Sequence, residues 1–123
     1  MVKYFTIGFI LLGLMSCNRT LVHQRIISNG STDTVIVVNP DEKDTSYVIP
    51  PSQSAVIYEF EVLDKKQDSE PCVWIGPNLS IKKSNGLICH KGEKLEENWS
   101  KKIEGSKERK ETCTFLVVDA DFY

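Results

Sequence analysis

The feature that most restricts this chain is the spacing of its turn signals. Beyond residue 25, clusters of Gly, Pro, Asn, Asp and Ser interrupt the apolar runs at short intervals, leaving segments of strand length. "RIISNGSTDTVIVVNP" sets apolar residues on both sides of a polar "SNGSTD" turn, and the β-branched residues Val35 to Val38 stop at Asn39-Pro40, which predicts a hairpin. "TSYVIPPSQSAVIYEFEVL" repeats the arrangement. Pro50-Pro51 breaks one extended segment, and in the next Val56, Tyr58, Phe60 and Val62 alternate with Ile57, Glu59 and Glu61.

Further along, "CVWI" at Cys72 to Ile75 reads as a short buried strand, and "TCTFLVVDADFY" as the closing one. In "LSIKKSNGLICH" the pair Asn85-Gly86 predicts a two-residue type I′ turn. That turn pairs Lys83 with Ile88 and Lys82 with Cys89, so Leu79, Ile81 and Ile88 share one face and Cys89 lies on the other. Between Gly92 and Gly105, Leu95, Trp99 and Ile103 recur every four residues, with Glu93, Glu96 and Glu97 early and Lys101 and Lys102 late. This predicts one short amphipathic helix. The expected fold is therefore mainly β, an antiparallel β-sandwich of roughly seven strands with that single helix.

The 123 residues are 41% hydrophobic and 26% charged, values of an ordinary globular domain large enough for one modest core. The formal net charge is −2. The densest basic run, "KKIEGSKERKE" from Lys101 to Glu111, is interrupted by Glu104, Glu108 and Glu111. It reads as a solvated loop, and no nucleic-acid partner is expected.

Lys3 supplies a basic start, Tyr4 to Met15 an uncharged apolar run of twelve positions, and Ser16 a small residue before Cys17. That is the layout of an export signal, and the run is well short of the roughly 20 residues that span a bilayer as a helix. An ordinary cleavage site has a small residue three positions before the cut, whereas Leu14 stands there. The "LMSC" at Leu14 to Cys17 resembles the lipobox of bacterial lipoproteins. The resemblance implies a diacylglyceryl thioether on Cys17, cleavage before it and acylation of the new amino group. Several acyl chains hold a protein on a membrane where one does so only marginally.

The organisation expected on this basis is a signal peptide at 1–16, a lipidated tether at 17–25 and a sandwich domain at 26–123. "NRTLVHQ" after Cys17 carries no Asp beside the anchor and no acidic cluster, and the resemblance to lipoproteins, in which such residues direct inner-membrane retention or surface display, then implies the periplasmic face of an outer membrane. The residues Ile27, Asn29, Ser31, Val35, Val37, Ile49, Pro50, Pro51, Ser54 and Ile57 also resemble the opening of immunoglobulin-like domains and of small Bacteroidetes lipoproteins. They cover about the first half of the exported part.

With Cys17 assigned to lipid, Cys72, Cys89 and Cys113 remain in a compartment that permits disulfides. Cys72 with Cys113 is the expected pair, since both fall in core strands; Cys89 with either partner, or no bridge at all, are the alternatives. No metal site is expected, because no C-x-x-C pair fixes two ligands on one turn. Cys89 and His90 are adjacent, and neighbours in a strand face opposite ways. His23 is expected to be solvated near the tether.

Asp119 and Asp121 would share a face in a continuing strand, where a carboxylate pair could act as acid and base; surface solvation is the preferred reading. Trp74 and Trp99 fall on core faces. Asn18, Asn29, Asn78 and Asn98 each begin an N-x-S/T triplet, which has no consequence in a bacterial context. No catalytic residue and no cofactor is expected. The functional expectation is a lipid-anchored envelope protein that binds or scaffolds another envelope protein or a glycan. Its rivals are a periplasmic inhibitor or immunity-type protein and a small enzyme using Asp119 and Asp121.

Overall fold

The computed structural model describes residues 20–40, 45–63, 70–74 and 76–123. Cys17 and the segment 1–16, expected to be a signal peptide, lie outside them. Among the described residues seven strands form two sheets: β1 (Thr20–Asn29), β2 (Val35–Val38), β3 (Ser46–Ile49), β4 (Ser54–Leu63), β5 (Ser80–Lys83), β6 (Trp99–Glu104) and β7 (Glu108–Val117). One sheet has the order β4-β1-β7-β6 and the other β3-β2-β5. The class is that of a β-sandwich.

β1 is central to the larger sheet. Its side chains alternate, with Leu21, His23, Arg25, Ile27 and Asn29 pointing inward. It pairs antiparallel with β4 and parallel with β7, from Thr20↔Glu108 to Asn29↔Val117. The sandwich is thus mixed where an antiparallel one was expected. Parallel partners cannot be joined by a hairpin, and here nearly the whole described chain forms the connection. β1 also begins at Thr20, so residues 20–25 are sheet where a tether was expected.

The core lies between the sheets. Ile27, Val35, Val37, Ile49, Ile57, Ile81, Phe115 and Val117 are buried there, with Trp74, Trp99 and Phe122 closing its sides. The Asn29 and Ser31 of the opening motif tie its top. The Asn29 amide donates to the carbonyls of Asp33 and Ile49, both at 2.8 Å, and its oxygen accepts from Ser31 N (2.9 Å) and Oγ (2.6 Å). A buried amide satisfied on both sides joins the β1–β2 turn to the end of β3.

The expected helix is absent. Its span holds one 3₁₀ turn, Glu96–Asn98, followed by β6, which pairs with β7 through Trp99↔Phe115 to Glu104↔Lys110. Four residues is two strand periods as well as about one helical turn, so the Leu95, Trp99, Ile103 spacing fits either element. The indole of Trp99 beside Phe115, 5.1 Å between rings, is gained only in the strand. The basic run from Lys101 is likewise two strands around a tight turn and not a loop. Gly105, at φ +81°, makes that turn, and a Cβ there would stand 2.2 Å from the Glu108 carbonyl oxygen.

The hairpin after β5 differs by one residue from its expected register. Only Gly86 has a positive φ, +95°, and Asn85 does not, so the type I′ turn, which needs both, does not form. Instead Gly86 N donates to Lys83 O and Lys83 N to Leu87 O, both at 2.9 Å, and Lys82 bridges Ile88. A slip of one residue exchanges the faces: Ile88 turns to solvent and Cys89 packs against the core.

Cys72 and Trp74 of "CVWI" are buried, and its described residues form no strand. Cys72 and Val73 give their N–H groups to the Glu96 carboxylate at 2.9–3.0 Å, and Trp74 N donates to Glu93 O at 3.0 Å. A carboxylate does here what a neighbouring strand would do. Those bonds hold the Glu96 carboxyl below its ordinary pKa, the Cys72 N–H contributing most. Among the described residues no helix is long and apolar enough to cross a membrane.

Candidate functional site

The strands of the larger sheet outrun those of the smaller one, and the segment 70–74 covers the inward face near the start of β1. Cys72 on that segment is bonded to Cys113 on β7, as expected from their core positions. Both are buried, and Cys89 is left as a free, half-buried thiol. Burial pushes the Cys89 thiol up from its usual pKa, so it stays protonated and unreactive near neutrality.

Around the disulfide the inward-facing positions are polar. His23 is fully buried, which corrects the expectation of a solvated residue. Its Nδ1 lies 2.9 Å from Glu111 Oε1, and Glu111 is also fully buried. The same oxygen accepts from the Glu70 N–H at 3.1 Å and stands 3.6 Å from Lys101 Nζ. Oε2 of Glu111 has no hydrogen-bond partner among the described residues. The His23 ring stacks on Phe60 with 4.9 Å between centroids, and its Nε2 points at Cys113 Sγ, 3.9 Å away.

Arg25 completes the cluster, donating from Nε to Cys72 O (2.9 Å) and from Nη2 to Pro71 O (3.1 Å), with its guanidinium over Tyr58. Burial, then the charge of Arg25, holds the His23 pKa below its usual value, against the opposing pull of Glu111. The imidazole is therefore neutral at pH 7. A sulfur, an imidazole and a carboxylate stand in the order of a thiol triad. Yet the sulfur is tied in a disulfide and the whole group is shut away from solvent, so it offers no thiolate and admits no substrate.

One accessible concavity lies at the other end of the sandwich. A shallow depression of about 440 Å³ is lined by His90, Lys91, Leu95, Asn98, Asp121 and Tyr123. The rings of His90 and Tyr123 stack in parallel at 3.9 Å, and His90 Nε2 lies 3.0 Å from Tyr123 O. Lys91 donates to the Leu116 carbonyl at 2.6 Å while lying over the Phe115 ring. A second depression of about 410 Å³ adjoins it along His90 to Gly92 and reaches Cys89 and Glu93. Such a surface combines an aromatic edge, an exposed Leu95 and charges of both signs, a composition suited to binding a partly polar partner.

Asp119 and Asp121 do not form a pair on a strand. They sit in a 3₁₀ turn after β7, Asp119–Asp121. Asp119 accepts from Lys83 Nζ at 2.7 Å and from Thr32 N and Oγ1, while Asp121 accepts from Val118 N. The Lys83 ammonium, and then the Thr32 N–H, hold the Asp119 carboxyl below its ordinary pKa. Both tryptophans are in the core, Trp74 Nε1 donating to Pro77 O and Trp99 Nε1 to Glu93 O at 2.8 Å.

The buried histidine–carboxylate pair escaped the sequence reading. Its one visible signal is the alternation Leu21, His23, Arg25, Ile27, which continues the inward phase of β1 through two charged residue types. No protein-family model, no curated protein and no solved structure matches the chain.

Proposed function

We propose that the chain is a lipid-anchored cell-envelope protein, tethered through Cys17 to the periplasmic face of the outer membrane, whose sandwich binds or scaffolds a partner. The observation that carries the reading is the "LMSC" at the end of a twelve-residue apolar run, its Cys17 three positions before the first described strand. Three extended residues reach about 10 Å. The acyl chains would therefore hold the Thr20 end of the domain close to the bilayer. β7 runs ten residues away from that end, about 30 Å at strand rise, and the depression around His90 and Tyr123 lies at its far end, open to a protein or glycan partner. A disulfide suits an exported location. In finer detail we read the sandwich as immunoglobulin-like.

One observation favours the inhibitor or immunity-type reading of the same anchored protein. On the outer face of the smaller sheet Val48 pairs with Ile36, Ile36 with Lys82 and Lys82 with Ile88, with Val48 65% and Ile88 48% exposed. A row on an outer face in which Val48, Ile36 and Ile88 flank a single Lys82 offers a protein partner apolar contact around one charge.

Fractionation of cells expressing the chain and its Cys17→Ala variant tests the anchor. The wild type is expected in the membrane pellet through high-salt washes and in the detergent extract. The variant is expected to lose that attachment. Recovery of the wild type as a free protein overturns the reading.

A further inference from the structure

We propose that reduction of the Cys72–Cys113 bond converts the buried cluster into a site for a thiophilic divalent metal ion, Zn²⁺ by its chemistry, with Cys72 Sγ, Cys113 Sγ and His23 Nε2 as ligands and Glu111 as the carboxylate that orients the histidine. A carboxylate accepts, so the 2.9 Å contact with Glu111 places the proton on His23 Nδ1 and leaves the lone pair on Nε2. That lone pair faces Cys113 Sγ at 3.9 Å in a fully buried setting. A disulfide sulfur has no proton to give. The nitrogen is thus prepared to coordinate and has no donor in front of it.

The distance between His23 and Cys113 suits a metal, and reduction frees the sulfur of Cys72 beside them. Two ligands at tetrahedral angles, with Zn–S about 2.3 Å and Zn–N about 2.0 Å, stand about 3.5 Å apart. The Nε2 to Sγ separation therefore needs to close by only a few tenths of an ångström. The donor atoms of His23, Glu111 and Cys113 all lie within 4.8 Å of one another. A metal-ligating histidine commonly gives its other N–H to a carboxylate, and Glu111 occupies that place with Oε2 unpartnered among the described residues. Two thiolates and a neutral imidazole leave a fourth position for water.

The chemistry balances with a dithiol as reductant. Two electrons and two protons pass to the sulfurs, the dithiol becomes its own disulfide, and Zn²⁺ then displaces the two thiol protons to solvent. The oxidised protein holds no such site.

The detergent-solubilised full chain in a Cys89→Ala background, reduced with excess dithiothreitol that is then removed without oxygen, is titrated with Co²⁺ and competed with Zn²⁺. The expected result is one Co²⁺ per chain, with the visible bands of a tetrahedral site and a thiolate-to-cobalt absorption. Binding should be at least tenfold weaker in His23→Gln and ten- to a hundredfold weaker in Glu111→Gln. Zn²⁺ should raise the thermal midpoint of the reduced chain and leave that of the oxidised chain unchanged. The proposal is overturned if the reduced chain shows no tetrahedral cobalt spectrum, or if both variants bind as the parent does. It is equally overturned if the reduced chain loses its sheet structure and Zn²⁺ does not restore it.

Discussion

His23 and Glu111 meet across neighbouring strands with both side chains sealed from water, so each is the other's principal solvent. Removing one leaves the second buried and underpartnered, and His23→Ala should lower unfolding free energy by about 3 kcal/mol in urea titrations. The sign of the pH effect follows from the depressed pKa. Above the ordinary histidine value of 6.5 the folded and unfolded imidazoles are both neutral. Below it the unfolded chain takes up a proton that the folded chain resists, so stability is present above that value and is lost as the pH falls. The urea midpoint of the wild type should drop between pH 7 and pH 5, and His23→Gln should flatten that slope. A slope that is the same in both would remove His23 as its source.

At the scale of elements, two glycines separate conformation from contact. Gly86 has φ +95° with open space where a Cβ would stand, whereas Gly105 has φ +81° and a carbonyl oxygen 2.2 Å from that position. Gly86→Ala should cost about 1 kcal/mol from backbone strain alone. Gly105→Ala should cost at least twice as much, because β7 must shift as well. Equal melting-temperature losses would contradict this account of the β6–β7 turn.

The strands around Val35 to Val38, Ser46 to Ile49 and Ala55 to Leu63 were legible in the sequence because β-branched runs bounded by Pro, Gly and Asn leave few alternatives. The strand from Trp99 was not, since a spacing of four satisfies both periods and only pairing with β7 decides between them. The hairpin register was misread because Asn-Gly permits a type I′ turn without requiring it. At the site, Cys72 with Cys113 was legible from core placement. His23 and Glu111 were not, because the alternation through Leu21, His23, Arg25 and Ile27 is their one local signal and the partner that makes such burial tolerable is 88 positions away.

For the whole molecule the disulfide is the main external support of a small domain. It joins residues 41 positions apart, and in the chain-entropy picture a loop of that size contributes about 4 kcal/mol. Cys72→Ala with Cys113→Ala should therefore reduce unfolding free energy by about that amount in chemical denaturation. The same bond pins the segment 70–74 over the polar half of the sandwich, whereas the apolar half closes by itself. Loss of the bond should accordingly speed hydrogen exchange first at 70–74 and at the start of β1. Uniform acceleration through β2 and β5 would argue against that division.

Anchor, disulfide and free thiol are read together by intact mass spectrometry of membrane-extracted protein, alkylated under denaturing conditions before and after reduction. The account predicts a chain beginning at Cys17 that carries diacylglyceryl and N-acyl mass, with one alkylated thiol before reduction, Cys89, and three after it. A polypeptide of unmodified mass, or one whose N-terminus is any other residue, would contradict the envelope assignment at its root.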